Sequence, residues 1–197
     1  GDGQFVAPNP NLRPERAKGW DAALFGEWFD GRASGEIGYF RLDSRDLIGF
    51  GTIGYVNVAR AKSEGLEASA RVRLTPALAL SGTYAEVDAV DETSGVRLLR
   101  APERTAYVEA DWRATKDLGL TLSARHVGEA RDLVVPANPQ GRIKSWSRLD
   151  AAARLKLTKR IELYGRIENL TDERYQEVFG YGVPGRSAYA GVRVRFE

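Results

Sequence analysis

The feature of this sequence that most constrains its fold is an alternation of apolar and polar residues with a period of two. The segment TAYVEADWR (105–113) shows the pattern. Its apolar parity consists of Ala106, Val108, Ala110 and Trp112, and its polar parity consists of Tyr107, Glu109, Asp111 and Arg113. A helix would scatter these two sets around its circumference, whereas a strand places each set on its own face. Segments 64–74, 149–157 and 161–168 repeat the alternation, so the sequence predicts an all-β protein.

The alternating segments are long and regularly connected. Nine strands are predicted, at about 15–30, 32–43, 56–74, 77–90, 103–115, 118–132, 146–158, 160–171 and 186–196. Short turns at 30–31, 75–76, 115–117 and 158–159 alternate with long loops rich in Gly, Pro and Asn at 44–55, 90–102, 133–145 and 172–185. Long strands with short turns at one end and long loops at the other are typical of a bacterial outer-membrane barrel. We therefore expect a segment of an antiparallel transmembrane β-barrel.

The composition excludes several other classes of protein. Lys and Arg total 29 against 27 for Asp and Glu, and this mixed balance lacks the one-signed surface of a nucleic-acid binder. There is no cysteine and a single histidine, His126, so disulfides, thiolate metal sites and His-rich metal centres are not expected. The sequence shows neither a secretory signal nor an apolar run long enough for a transmembrane helix. A transmembrane strand, however, needs only ~9–11 alternating residues.

The aromatic residues favour a membrane barrel over a soluble β-sandwich, which would have the same alternation. Trp28, Trp112 and Phe196 lie on the apolar parity near the short-turn ends of their strands, and Trp20 and Tyr84 lie toward the long-loop ends. Two such rows are expected of the aromatic girdles at the two membrane interfaces. In the alternative, a free-standing soluble β-sandwich or barrel that binds a ligand, the same side chains would pack a core.

The predicted number of strands is odd, whereas single-chain bacterial barrels close with an even number. With the C-terminus at the short-turn end, residues 1–14 would lie on the long-loop side. We therefore expect residues 1–197 to form one partial domain, the C-terminal portion of a larger barrel.

Four segments, in the correct order, resemble TonB-dependent outer-membrane receptors. They are NPNLRPERAKGWDAAL (9–24), YVNVARAKSEGLEASARVRL (55–74), LLRAPERTAYVEADW (98–112) and IENLTDERYQEVFGYGVPGRSAYAGVRVRF (167–196). The last segment is similar to the family's closing block, in which Asn-Leu-x-Asp is followed by Pro-Gly-Arg and a terminal aromatic residue. Within the family, LLRAPE and EVFGYGVPGR look most like the vitamin B12 (cobalamin) receptors.

The resemblance carries several implications. It implies a barrel of about 22 strands with an N-terminal plug that is absent from this chain. It implies uptake of a bulky, scarce nutrient, either cobalamin or a ferric siderophore, driven by a TonB complex that acts on the missing N-terminal part. It also implies residence in the outer membrane of a Gram-negative bacterium, contact with outer-membrane lipid, and recognition of the C-terminal strand by the barrel-assembly machinery. The family usually ends on its aromatic residue, whereas here Glu197 follows Phe196.

Two G-x-G-x-x-G matches raise the alternative of a nucleotide enzyme. The first, GFGTIG (49–54), precedes an extended pattern and not a helix. In the second, GYGVPG (180–185), Pro184 stands where the phosphate-binding helix should begin. Glycine turns in surface loops are the better interpretation of both.

Other kinds of site are weakly indicated. Carboxylates that calcium could recruit occur in or near the loops, at Asp43, Asp46, Asp88, Asp91 and Glu92. They lack EF-hand spacing and are interpreted as solvated loop residues. His126 is interpreted as a rim or loop contact. No nucleophile, base and orienting acid can be assembled, so neither an enzyme nor a cofactor is predicted.

Ligand contacts are expected from the extracellular loops and the upper lumen. The candidates, chosen for loop position and for aromatic or hydrogen-bonding character, are Arg100, Arg131, Asn138, Arg142, Tyr175, Tyr181 and Arg186. For each of them a purely structural role in its loop is the alternative, above all for Arg186 in the Pro-Gly-Arg block.

Overall fold

The computed structural model describes residues 8–50, 54–57 and 60–196, and these residues form strands, turns and loops. Nine long strands carry the architecture: β1 (Arg16–Trp28), β2 (Ala33–Arg45), β5 (Ala61–Thr75), β6 (Leu78–Asp91), β8 (Arg104–Arg113), β9 (Leu118–Val127), β12 (Trp146–Lys156), β13 (Ile161–Glu168) and β16 (Ser187–Val194). The short strands are β3 (Ile48–Phe50), β4 (Tyr55–Asn57), β7 (Val96–Arg97), β10 (Ala130–Arg131), β11 (Arg142–Ile143), β14 (Gln176–Val178) and β15 (Tyr181–Gly182).

The nine long strands form one antiparallel meander. Each pairs with the next long strand along the chain, in the order β1-β2-β5-β6-β8-β9-β12-β13-β16, and β7 extends the sheet beside β6. The prediction of an all-β antiparallel sheet of nine long strands is confirmed, and the predicted short turns and long loops alternate as expected. Among the described residues, no helix is long and apolar enough to cross a membrane.

Three of the four short turns share one device. Thr75, Thr115 and Thr158 each begin a turn, and each hydroxyl accepts hydrogen bonds from the amides two and three residues further on, at 3.0–3.2 Å. A threonine that satisfies these amides lets the chain reverse within a few residues. The remaining turn uses left-handed backbone instead, with φ of 54° at Asp30 and 72° at Gly31.

Two predicted strands are shorter than expected because their ends join local hairpins. The strand predicted at 56–74 begins at Ala61, since Tyr55–Asn57 pairs with Ile48–Phe50. The strand predicted at 118–132 ends at Val127, and Ala130–Arg131 pairs with Arg142–Ile143. In both places the alternation continues in sequence although the pairing partner changes.

The register separates the residues of the sheet into two faces. Starting at Trp28, directly paired residues lead across the sheet through Ala33, Val72, Leu80, Ala110, Leu122, Ala151, Ile167 and Ala188. Cross-strand partners point to the same side, so these residues mark one apolar face. The opposite face carries the other parity, including Glu109, Asp111 and Arg193. The faces predicted from sequence are the faces observed.

The apolar face has no second layer on it within the described part of the chain. Leu24 is 77% exposed, Val108 is 54% exposed and Val192 is 59% exposed. The buried apolar residues are few, namely Ala33, Ala61, Ala89, Ile143 and Trp146. A soluble sandwich would cover this face with a second sheet. The arrangement instead suits a sheet whose apolar side meets lipid.

The five aromatic residues predicted as girdles all belong to the apolar face or its margins. Trp28, Trp112 and Phe196 lie at the short-turn ends of β1, β8 and β16, with exposures of 54%, 50% and 92%. Trp20 and Tyr84 lie where the apolar face gives way to charged residues, and the Trp20 ring packs against Tyr39 at 5.4 Å between centroids. Their girdle role stays a prediction.

Candidate functional site

The largest cleft described lies among the loops at the long-loop end of the sheet. Its volume is about 1120 Å³, and it opens between the loop from β9 to β12 and the loop from β13 to β16. The first loop contributes Asn138, Gln140, Arg142, Lys144 and neighbouring residues, and the second contributes Asp172 to Gln176, Phe179 and the stretch around Val183. A volume of this size can hold a ligand larger than most drug-like molecules.

One buried carboxylate ties three long loops together. Asp132 is 1% exposed. Its oxygens accept hydrogen bonds from the amide of Leu133 at 2.8 Å, the amide of Phe179 at 2.7 Å and Nε of Arg100 at 3.1 Å. Arg100 belongs to the loop after β7, and Phe179 to the loop before β16. The walls of the cleft are therefore fixed relative to one another at Asp132.

The protonation of Asp132 follows from these contacts. Burial raises the pKa of the Asp132 carboxyl, but the two amide hydrogen bonds and the Arg100 guanidinium outweigh burial and hold the pKa below its ordinary value. The carboxylate is therefore charged at neutral pH. A charged acceptor strengthens each of the hydrogen bonds that join the loops.

The closing sequence block organises the second loop. Asn169 is 2% exposed and has a left-handed φ of 56°. Its amide donates to Asp150 at 2.8 Å, and its side chain both accepts from the amide of Glu173 and donates to the carbonyl of Glu173. Asp172 then accepts from the amide of Arg186 at 2.8 Å. The Asn-Leu-x-Asp and Pro-Gly-Arg elements are thus the two ends of one fastened loop.

An aromatic stack folds this loop over the polar face of the sheet. The ring of Tyr175 stacks on Trp146 with centroids 3.9 Å apart, and Trp146 is 5% exposed. The Tyr175 hydroxyl accepts a hydrogen bond from Arg148 at 3.4 Å. Because Trp146 and Arg148 share the polar face of β12, the cleft lies at the mouth of the lumen.

The seven predicted ligand residues fall into three groups. Asn138, Arg142 and Tyr175 line the cleft. Arg100 and Arg131 lie behind it in structural contacts, since Arg100 binds Asp132 and Arg131 donates to the carbonyl of Arg97 at 2.8 Å. The remaining two are near its rim: Tyr181 is 74% exposed in β15, and Arg186 is held through its amide by Asp172. Ligand contact by any of the seven stays a prediction.

All three of the predicted residues that line the cleft also have structural partners: Tyr175 stacks on Trp146, and Asn138 and Arg142 have partners within their own loop. The side chain of Asn138 donates to the carbonyl of Leu133 at 3.2 Å and accepts from the amide of Arg142 at 3.2 Å. The Arg142 guanidinium forms an ion pair with Glu129, with Nε 2.7 Å from the carboxylate, and this hydrogen bond raises the pKa of Arg142. Their charge and amide groups are therefore partly used within the loop.

The sequence analysis did not single out two cations of the cleft that have no ion-pair partner in the described part of the chain. Lys144 and Arg174 line the cleft, and neither has a hydrogen bond or ion pair with any described residue. Both stand in the long loops, so their position and charge were the signals available. What the sequence does not reveal is that the neighbouring Arg142 is neutralised by Glu129 while these two are not.

The other candidate sites have structural roles in their own turns and hairpins. GYGVPG (180–185) forms the end of a hairpin and leads into β16, so it offers no helix N-terminus to a phosphate; GFGTIG (49–54) lies partly outside the described residues. Asp91 caps its own turn by accepting from the amide of Thr93 at 2.8 Å. In the described part of the chain, no group of three or more acidic or histidine side chains is placed to hold a metal ion.

His126 and three more of the loop carboxylates also have partners within the chain. His126 shares a hydrogen bond with Ser147 at 2.9 Å. Asp43 and Asp88 pair with arginines of the same sheet, and Asp46 pairs with Arg13 at 2.7 Å. These contacts account for the residues without a ligand.

A scan against protein-family models decides the class of protein. Residues 1–170 match the model described as TonB dependent receptor-like, beta-barrel. The chain belongs to this family. The model describes a family of receptors.

Solved structures of the family share the fold. The ferric-catecholate import receptor Fiu from Escherichia coli K12 is 19% identical, with a TM-score of 0.79 over 100% of this chain. The siderophore receptor PiuA from Acinetobacter baumannii is 22% identical with a TM-score of 0.79 over 95% of the chain, and the copper transporter OprC is 19% identical with a TM-score of 0.81 over 95%. The chain spans 30% of the length of Fiu and of PiuA and 31% of that of OprC.

The comparisons and the topology agree on the architecture. The described strands form a segment of a TonB-dependent receptor barrel, as the sequence predicted, and no plug is part of this segment. The long loops and the cleft between them stand at one end of that segment, and the short turns stand at the other.

Proposed function

We propose that the chain forms the C-terminal part of the barrel of an outer-membrane receptor that takes up a bulky nutrient. The ligand that we favour is an anionic metal chelate of the ferric siderophore class. The cleft at the lumen mouth carries the proposal. It holds the two cations Lys144 and Arg174, which have no partner among the described residues, next to the stacked ring of Tyr175.

Two cations of the cleft that have no ion-pair partner among the described residues favour this class of ligand, in a lining that also holds Asp172 and Glu173. Two unpaired cations in a partly enclosed space attract an anion, and a planar aromatic ligand can pack against Tyr175. Fiu and PiuA, which share the fold, are described as receptors for ferric-catecholate and siderophore ligands. Because this chain is only 19% and 22% identical to Fiu and PiuA, the ligands named are properties of those two proteins. They indicate the class of ligand to test first.

Cobalamin is the second candidate. It rests on the resemblance of LLRAPE and EVFGYGVPGR to the vitamin B12 receptors. In the structure, Arg100 of the first segment and Phe179 of the second both bind Asp132. The two segments therefore have a structural reason to be present whatever the ligand is. We accordingly place cobalamin behind an anionic ferric chelate.

The proposal includes the partners that such a receptor requires. Lipid would cover the apolar face, and the short turns would lie on the periplasmic side of a Gram-negative outer membrane. A plug and a TonB-binding segment would belong to the part of the receptor that precedes these strands. The barrel-assembly machinery would recognise the strand that ends near Phe196. Each partner is an expectation of the proposed function.

Ligand binding can be measured by fluorescence in the receptor purified from its complete reading frame. A ferric catecholate absorbs light and is expected to quench Trp146, which lies beside the cleft. Replacing Lys144 and Arg174 together with Gln should raise the Kd for the ferric chelate roughly ten- to thirtyfold, from about 1 kcal/mol for each partly exposed charge pair. Cyanocobalamin, which lacks the chelate's negative charge, should respond far less.

A matched control removes two positive charges at the opposite, short-turn end of the sheet. Lys116 and Lys159 lie in short turns, and their replacement with Gln should leave the Kd unchanged. Saturable binding of cyanocobalamin without binding of ferric chelates would reverse our order of candidates. Binding of a ferric chelate that is equally tight in the Lys144 and Arg174 variant would remove these two cations from the site.

A further inference from the structure

The short-turn end of the sheet carries a surface of positive charge. We call it the basic rim, and it consists of seven exposed cations at or beside the β8–β9 turn, the β12–β13 turn and the end of β16: Arg113, Lys116, Arg154, Lys156, Lys159, Arg160 and Arg195. Backbone hydrogen bonds make the rim continuous. The amide of Lys156 donates to the carbonyl of Asp117 at 2.9 Å. The amide of Arg195 donates to the carbonyl of Arg160 at the same distance.

The positive charge of the basic rim is not neutralised within the described part of the chain. None of the seven side chains forms an ion pair or a hydrogen bond with a described residue. The nearby carboxylates are few. Asp111 accepts a hydrogen bond from the Thr121 hydroxyl at 2.9 Å, and Glu162 pairs with Arg193 at 2.7 Å. With Asp117 as the remaining carboxylate of these described turns, the rim keeps a large excess of positive charge.

The cations at the other two short turns are used differently. Arg32 donates to the carbonyl of Arg73 at 3.4 Å and to that of Leu74 at 3.1 Å. Arg73 donates in return to the carbonyl of Gly31 at 2.7 Å. These two arginines fasten the β1–β2 turn to the β5–β6 turn. Among the described short turns, the unpaired cations are therefore concentrated on the side that β8, β9, β12, β13 and β16 form.

Part of the basic rim faces the lumen. Arg113 and Arg154 lie on either side of Gly119 in the register, on the polar face of the sheet. A Cβ at residue 119 would meet nothing within 4 Å, so the space between the two arginines is open. A groove of about 330 Å³ lies there. It is small for a bulky chelate but can accept one or two carboxylate side chains. Lipid on the opposite, apolar face cannot reach it.

The other part of the basic rim lies at the tips of the turns. Lys116, Lys159 and Arg160 stand beyond the ends of their strands. A domain that fills the lumen would cover the groove and leave these tips exposed. A protein that approaches along the barrel axis from the short-turn side would cover both the tips and the groove. The shape of the charged surface therefore favours a partner from the periplasm.

We propose that the basic rim docks the acidic surface of a soluble periplasmic protein, with carboxylate side chains of that protein in the groove between Arg113 and Arg154. The inference rests on the short turns facing the periplasm. It goes beyond the uptake function because it concerns the end of the barrel opposite the cleft. Arginine guanidinium groups match the geometry of a carboxylate, and the cations at the tips accelerate the approach of an oppositely charged surface.

Binding of an acidic peptide by the intact receptor tests the proposal. The receptor from its complete reading frame would be placed in phosphatidylcholine nanodiscs, and a fluorescent polyglutamate peptide would be titrated while its anisotropy is recorded. Two variants each remove three charges. The tip variant carries Lys116→Gln, Lys159→Gln and Arg160→Gln, and the lumen variant carries Arg113→Gln, Arg154→Gln and Lys156→Gln.

Both variants should bind the peptide more weakly. An exposed charge pair contributes roughly a two- to threefold factor in affinity, so each variant should raise the Kd on the order of tenfold. Added salt should weaken binding by the wild type more than binding by either variant, because fewer charge pairs are left to screen.

A matched variant removes the same charge at the other end of the sheet. Arg16→Gln, Lys18→Gln and Arg45→Gln lie at the long-loop ends of β1 and β2 and should leave the Kd for the peptide unchanged. The Kd for a ferric chelate should stay the same in the tip and lumen variants, since the cleft is at the opposite end. A receptor that binds the peptide but no ferric chelate would refute the proposed ligand class and leave the docking surface standing.

Three outcomes would overturn the docking proposal. The first is equal peptide affinity in the wild type and both variants. The second is a lumen variant that binds the peptide normally but admits large antibiotics across the outer membrane, which would assign its cations to the receptor's own N-terminal domain. The third is retention of phosphatidylglycerol that the tip variant loses, which would assign the tips to lipid. Weaker peptide binding by both variants, with the heat-dependent electrophoretic shift of a folded barrel unchanged, supports the proposal.

Discussion

Removing the carboxylate of Asp132 should open the two loops that enclose the cleft and free the Arg100 side chain. This side chain is 1% exposed and accepts from Leu133 and Phe179, which belong to the two loops that enclose the cleft, and from Arg100, which belongs to the loop behind it. In the variant Asp132→Ala the two amides lose a charged acceptor in a buried position. Arg100 is 47% exposed and can turn to water. The amides cannot do so without opening the loops.

The cost follows from the number and kind of contacts. A hydrogen bond to a charged group contributes ~1.5–3 kcal/mol. The two buried amides together therefore account for ~3–6 kcal/mol, and part of this is offset because alanine removes the cost of burying a carboxylate. We expect a net loss of ~3 kcal/mol, which is about a hundredfold increase in the population of opened loops.

Hydrogen exchange followed by mass spectrometry measures this opening. In Asp132→Ala, amides of the 128–145 and 169–186 loops should exchange about a hundredfold faster, and the strand amides should keep their rates. Asp172→Ala is the matched control. It removes a carboxylate that binds only the Arg186 amide, within the second loop. That variant should loosen the 169–186 loop and leave the 128–145 loop as it was.

The pH dependence gives a second readout of the same contact. Because the folded-state pKa of Asp132 is below its unfolded value of ~3.9, the stabilisation is fully present above that value and is lost as the pH falls through the folded-state pKa. Loop exchange in the wild type should therefore accelerate, beyond its intrinsic dependence on pH, only in acid below about pH 4. Asp132→Ala should lack this acid step. Faster exchange confined to the loop that contains residue 132 would refute the idea that Asp132 fastens the two loops to each other.

The two faces and the strand contacts give further expectations. Val108→Arg places a charge on the apolar face and should destabilise the receptor by ~2–4 kcal/mol on folding into lipid vesicles, while Glu109→Arg on the lumen face should cost much less; equal costs would contradict the assigned faces. In a urea titration, Gly65→Ala should destabilise the receptor by ~1–3 kcal/mol, because a Cβ at residue 65 would lie 2.2 Å from the carbonyl oxygen of Glu86. In the same titration Gly119→Ala should be nearly neutral, because a Cβ at residue 119 meets nothing within 4 Å. Similar losses for the two alanines would mean that the β5–β6 contact is looser than described.

The sheet was predictable because its signal is local. Apolar and polar residues alternate with a period of two in each long strand. A strand that faces lipid on one side and the lumen on the other requires this alternation. The boundaries were less predictable where pairing changes partner. The residues after Val127 keep an extended pattern, and only the partner strand β11 decides that they leave the main sheet.

The site was predictable only in part because its contacts are distant in sequence. Asp132 accepts from Phe179, 47 residues further on, and from Arg100, 32 residues before it. The sequence around Asp132 does not indicate which backbone amides will donate hydrogen bonds to it. Asn138, Arg142 and Tyr175 line the cleft, since loop position alone brings them to one end of the sheet. Arg100 and Arg131 have the same loop position, yet the fold uses both to fasten the loops.

The closing sequence block, within residues 167–196, shows a similar limit of the sequence signal. Asn169 and Asp172 stood in the quoted segment, and their role is to fix the loop through Glu173 and Arg186. Left-handed φ values of 56° and 55° at these two positions suit Asn and Asp, whose side chains satisfy the local backbone. A residue pattern that marks a family can therefore report the geometry of a loop without reporting its ligand.

One face of this sheet is apolar and exposed, and we expect it to meet lipid while the opposite face meets the lumen. The chain has no cysteine, so single cysteines can be introduced along residues 105–113 and spin-labelled in the receptor, with any cysteine elsewhere in the receptor replaced. Collision with dissolved oxygen, which concentrates in the bilayer, should peak at Ala106, Val108 and Ala110 and fall at Tyr107 and Glu109. A profile without this alternation, or with its maxima at Tyr107 and Glu109, would contradict the account.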